Sequence, residues 1–91
     1  MQRAWRVGLM ANERVRVMKL HFSPGDTIAR HSHPDHFAYL LSDGQLKLSY
    51  LDGSTKDFAG TAGEVIWINA ESHAEGNIGA TPIDALVVEL K

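Results

Sequence analysis

Three of the five histidines fall within six residues, at His31, His33 and His36. In an extended strand, side chains two apart share a face. His31 and His33 therefore point together, with Ser32 opposite, and their Cα atoms stand about 6–7 Å apart. Two imidazoles so placed can converge on one ion at nitrogen–metal distances of about 2.0–2.1 Å. Neutral imidazole is available near pH 7, which makes histidine the commonest ligand of transition metals. A third ligand has to come from elsewhere, and His73 is the only histidine of the C-terminal half. It sits in Glu71-Ser72-His73-Ala74-Glu75, read as a segment just past a strand. His36 has the opposite parity to the His31/His33 pair, unless the turn after Pro34 resets the register. His21, alone on its strand, reads as an ordinary surface histidine.

The elements that must position these groups are strands. Turn signals recur about every ten residues, at Ser23-Pro24-Gly25, Ser42-Asp43-Gly44, Asp52-Gly53-Ser54, Gly60 to Gly63 and Gly76 to Gly79. Between them, Val15 to Phe22, Phe37 to Leu41, Leu46 to Leu51, Glu64 to Ile68 and Ile83 to Leu90 are rich in β-branched and aromatic residues. Asp52-Gly53 predicts a hairpin turn, because glycine tolerates the positive φ that such turns need. No window of a dozen residues carries a helical period. Short strands at this spacing predict an all-β, antiparallel sandwich or barrel. The segment Ala4 to Ala11 reads as a further strand. Residues 1–14 form an N-terminal arm and residues 15–91 the barrel.

Length and charge exclude several classes. A chain of 91 residues makes one domain with a modest core, and gains from a metal, a partner subunit or both. Nine Lys and Arg against eleven Asp and Glu leave a net charge of −2. The basic residues are scattered, so nucleic acid is not an expected partner. There is no cysteine, which excludes thiolate metal sites and disulfides. No apolar run approaches the roughly 20 residues that cross a bilayer, and Met1 to Met10 shows no signal pattern. The chain as it stands is expected to be cytoplasmic, with a removed leader left open.

Two motifs resemble those of the cupin family. The first cupin motif is G-x5-H-x-H-x3-E-x6-G, and Gly25, His31, His33 and Gly44 keep its spacing, with Phe37 in the glutamate position. The second is G-x5-P-x-G-x2-H-x3-N. Gly63, His73 and Asn77 follow it with Asn69 for the proline, Glu71 for the glycine and one residue missing before the histidine. The resemblance spans about Val15 to Leu90. It implies a six- to eight-stranded jelly-roll cupin barrel with the site inside, and a metal held by His31, His33 and His73.

With Phe37 in place of the acid, three neutral donors and no anion would surround the ion, making bound water more acidic and leaving positions open. Such a set suits one copper or iron per chain first, with zinc, nickel or manganese open. If position 37 faces inward, so do Tyr39 and Leu41, and Tyr39 becomes a hydrogen-bond donor to a bound ligand. Phe37 would then narrow and dry the site. Glu75 and Asn77 share a side with His73. Glu75 is a candidate general base or acceptor for an imidazole N–H. Glu71, nearer the loop, is a candidate fourth ligand, as is His36.

The expected function is that of a metal-dependent oxidoreductase acting on a small or carbohydrate-like substrate. A non-redox isomerase or lyase, and a non-catalytic ligand-binding module, remain alternatives. The arm, with Trp5, Val7, Leu9 and Met10, has more apolar residues than one small barrel requires. A homodimer built partly from it is expected.

Overall fold

The computed structural model describes residues 5–91, apart from the side chains of Trp5, Arg30 and His33. Nine strands are found among them: β1 (Trp5–Ala11), β2 (Val15–Phe22), β3 (Thr27–His33), β4 (His36–Leu40), β5 (Gly44–Tyr50), β6 (Thr55–Gly60), β7 (Val65–Ile68), β8 (Glu71–Asn77) and β9 (Ile83–Leu90). β2 to β9 give the barrel eight strands, within the expected six to eight, and β1 is the further strand expected in the arm. The extra one is an edge: β1 pairs only with β2.

The strands form two sheets, one in the order β1-β2-β9-β4-β7 and the other β3-β8-β5-β6. Every pairing is antiparallel. The inner faces meet around Met18, Phe22, Leu40, Leu48, Ile83, Ala85 and Val87, all buried. Alternation puts them there: Ile83, Ala85, Val87 and Glu89 of β9 are buried, and the residues between them are less so. Glu89 is the exception in kind. A buried carboxylate requires a partner, and the Arg16 guanidinium, directly across the β2–β9 ladder, lies 2.9 Å from Glu89 Oε1.

Glycine closes one end of the barrel. Gly44 and Gly60 face each other across β5 and β6. A Cβ on Gly44 would overlap the Ile83 side chain, and one on Gly60 would overlap Leu40. The expected hairpin joins β5 to β6, with Gly53 at φ 86° and Asp52 Oδ1 accepting from Ser54 N. That pairing with Ser54 holds the Asp52 carboxyl below its ordinary pKa. Asn77 locks the turn leading to β9: its amide donates to Phe22 O and Thr81 O, and its Oδ1 accepts from Gly79 N. Among the described residues, no helix is long and apolar enough to cross a membrane.

Candidate metal centre

His31 and His73 are brought together by the β3–β8 ladder, where they stand opposite each other. A bulge sets the pairing. Ile28 faces Glu75 and His31 faces His73, so Ala29 and Arg30 of β3 lie across from Ala74 alone. In an unbroken strand, residues 28 and 31 would point to opposite faces. The extra residue turns His31 to the same inner face as Ile28. It also supplies a fastening: His31 Nδ1 lies 2.7 Å from Ala29 O. A carbonyl only accepts, so Nδ1 carries the proton and donates.

His73 is fully buried, in the middle of β8, between His31 of β3 and Tyr50 of β5. Its Nδ1 lies 2.7 Å from Glu71 Oε2. The two rings meet edge to face, with centroids 4.8 Å apart and planes at 86°. Both Nδ1 atoms are thus engaged by oxygen acceptors, and both Nε2 atoms are buried and face Glu75. Glu75 Oε1 is 3.3 Å from His73 Nε2, and Oε2 is 3.8 Å from His31 Nε2.

The donor atoms of His31, His73 and Glu75 all lie within 4.8 Å of one another. Ligands around one ion at about 2.1 Å stand about 3–3.5 Å apart, so the widest gap would have to close by about 1 Å for the three to hold one ion. Two imidazole nitrogens held in one tautomer and a carboxylate fit a divalent transition metal. Burial disfavours charge on His73, but hydrogen bonds and charge from Glu75 and Glu71 outweigh it and raise the pKa above the ordinary 6.5. The Tyr50 phenol is also raised, by burial and then by the charge of Glu71.

The two acids exchange the roles expected of them. Glu71, read as a fourth ligand, is the acceptor that orients His73 through Nδ1. Glu75, read as an outer acceptor or base, faces both Nε2 atoms. β8 thus places a carboxylate beside both Nε2 atoms, where position 37 has none. His33 stands opposite Glu71 in the ladder. Its side chain, and with it its expected part in the metal set, lies outside the described residues.

On β4 the inward parity is the reverse of the one assumed. His36 and Leu40 are buried, whereas Tyr39 is 39 % exposed and Leu41 44 %. The break at Pro34-Asp35 resets the strand, and His36 Nδ1 lies 2.9 Å from Pro34 O. Tyr39 therefore sits on the outer face, away from the site, and Phe37 does not narrow it. His36, Ala38 and Leu40 line the interior instead. His21 is satisfied by Asp84, at 2.7 Å.

The inner faces enclose a cavity of about 330 Å³ that includes His31, His36, Glu71 and Glu75. Much of the remaining wall is apolar, with Met18, Leu20, Ile28, Leu48, Phe58 and Val87 among its residues.

Solved structures share this fold. A cupin domain from Bordetella pertussis Tohama I superposes with a TM-score of 0.89 at 26 % identity, over 100 % of this chain and 98 % of that one. An RmlC-like cupin family protein with a double-stranded β-helix fold, from Methanocaldococcus jannaschii, gives 0.73 at 16 % identity, over 94 % and 80 %. An oxalate decarboxylase structure gives 0.72 at 20 % identity, with 98 % of this chain covering 26 % of that one. No family sequence model matches the chain, and no curated protein sequence does. Fold and neighbours together define a small, all-β jelly roll. The chain has the fold of a small cupin domain.

Proposed function

We propose that the protein is a metal-dependent cupin enzyme, an oxidoreductase acting on a small substrate bound inside the barrel. The observation that carries this reading is the convergence of His31 Nε2, His73 Nε2 and the Glu75 carboxylate within 4.8 Å. Two histidines and one carboxylate with open positions is the donor set of non-haem iron sites. Iron therefore comes ahead of copper as the proposed ion. When bound, the ion would supply Lewis-acid and one-electron chemistry.

The chain's own residues do the rest. Ala29 O and Glu71 hold the two imidazoles in the tautomer that presents Nε2. Glu75 supplies negative charge, which offsets a divalent cation in a nearly dry setting. The apolar walls exclude water and favour a substrate with a hydrocarbon body. A cavity of about 330 Å³ suits a small molecule and no polymer. His36, buried on the wall formed by β4, is the further group able to hold or pass a proton there.

Metal analysis of untagged protein, with His73→Ala and Glu75→Gln alongside, tests the proposal. Iron near one per chain, lost in both variants, with oxygen consumption in a substrate screen, is the expected result. Zinc or nickel would replace the redox reading by a hydrolytic or isomerising one. Failure to retain any divalent transition metal after reloading would refute the metal centre and leave a ligand-binding barrel.

A further inference from the structure

Apart from its histidines, the charged groups on the cavity wall are Arg6, Lys56, Glu71 and Glu75. The two carboxylates belong to the centre described above. The two cations do not. Among the described residues, neither Arg6 nor Lys56 has an acid within ion-pair distance. Lys56 stands on β6, an edge strand whose partner is β5, directly opposite Leu48. Leu48 is buried, and opposite residues share a face, so Lys56 projects from the inner side of the sheet. The adjacent pair, Lys47 and Asp57, faces outward. The rung of Lys56 and Leu48 continues to Glu75 on β8 and Ile28 on β3. Lys56 and Glu75 are thus two strand spacings apart, about 10 Å between Cα atoms, with Leu48 between them as the floor. Lys56 is exposed although it borders the cavity, which puts it at an opening.

From this placement we infer that the substrate of the barrel is a small carboxylate with a hydrocarbon body, and that Lys56 binds its carboxylate at the mouth of the cavity. The inference deepens the proposed function and rests on its reading of the cavity as the substrate site. Charge is the first argument. Arg6 and Lys56 balance Glu71 and Glu75, so the charge of a bound divalent ion is left for an incoming anion. Apolar walls focus that field and draw small anions to the opening. Shape is the second argument. A carboxylate held by Lys56 lays its hydrocarbon body over Leu48, with Phe58 and Ile66 beside it, and points the other end at the centre. Partial removal of water strengthens an ammonium–carboxylate hydrogen bond relative to a neutral one. Lysine meets its partner as a point charge with three rotating donors, where arginine offers a fixed fork. The selection is therefore for the charge of the end group, with the apolar wall setting the length of the chain.

The experiment is titration calorimetry of the untagged full chain with hexanoate and hexanamide, which differ in charge and hardly in size. Lys56→Gln removes the cation and Lys56→Arg keeps it. Lys47→Gln makes the same change on the outer face as control. The wild type and Lys47→Gln are expected to bind hexanoate at least about tenfold more tightly than hexanamide. Lys56→Gln is expected to lose that preference by weakening hexanoate alone, and Lys56→Arg to retain it. Lys56 is already exposed, so these variants should fold, and circular dichroism checks that they do. A lysine that only keeps an edge strand from pairing would leave hexanoate binding unchanged in Lys56→Gln, and that result overturns the inference. So does a wild type that binds the two probes equally or binds neither, or an equal loss in Lys47→Gln. Metal content measured on the same samples separates the two readings. A preference that depends on Lys56 in protein retaining no metal upholds this inference and removes the metal enzyme. A metal-loaded protein indifferent to the charge of the probe does the reverse.

Discussion

Glu71 is the residue through which the metal centre can be tested most finely. Its carboxylate touches His73 Nδ1 at 2.7 Å and lies on the far side of the ring from the three converging donors. Replacing Glu71 by Gln keeps an acceptor for the Nδ1 proton and removes the charge. Replacing it by Ala removes both. Partners of this kind change metal affinity by about 10- to 100-fold. Glu71→Gln should therefore cost about tenfold, about 1.4 kcal/mol, and Glu71→Ala up to about 100-fold. A second effect runs the other way. Glu71 also helps to raise the His73 pKa, so it favours the proton that competes with the metal. Glu71→Gln lowers that pKa. The loss should then be larger at pH 8 than at pH 6, where the wild type has more proton to displace. Competition titrations of Co²⁺ against a chromophoric chelator at the two pH values measure both. Wild-type affinity at pH 8, or a loss of equal size at pH 6, would refute the role given to Glu71.

Three other outcomes follow from the same geometry. The His73 pKa is raised in the folded, metal-free protein, so protonated His73 contributes stability that is fully present below about pH 6.5 and lost as pH rises through the folded value. Thermal melts of chelator-treated protein should show Tm falling over that window, and saturating metal should remove the fall. Gly44→Ala should cost about 1–3 kcal/mol in urea unfolding, because its Cβ meets Ile83 at the closed end of the barrel. Tyr39→Phe should leave metal affinity within about twofold of wild type, since the phenol sits on the outer face; a loss as large as that of Glu71→Gln would return Tyr39 to the site.

Much of the scaffold was legible where composition and alternation agree. Val15–Phe22 and Ile83–Leu90 are strands over the residues expected, because β-branched side chains alternate there between faces. β8 was harder. Glu71–Asn77 contains no β-branched or aromatic residue, and it is extended because β3 and β5 pair with it on both sides. Its strand state is a property of the sheet, not of local preference. The Glu75–His73 parity was readable from their spacing of two. The roles of Glu71 and Glu75 were not, because spacing alone cannot say on which edge of the imidazole each carboxylate lies. Parity on β4 failed for a similar reason. It was carried from the cupin pattern onto Phe37, whereas the break at Pro34-Asp35 turned His36 inward.

The bulge at Ala29 and Arg30 decides the face of His31 by a count of two residues opposite one, more than by residue type. Many side chains at those two positions would keep the count of two residues opposite one. Deleting either leaves Ile28 and His31 two apart, so the ladder becomes regular with His31 still facing inward opposite His73; straightening the strand with both residues kept would instead set His31 across from Ser72 and turn it out of the barrel. A single lost codon there would therefore keep the inward face of His31, whereas loss of the bulge at constant length would not.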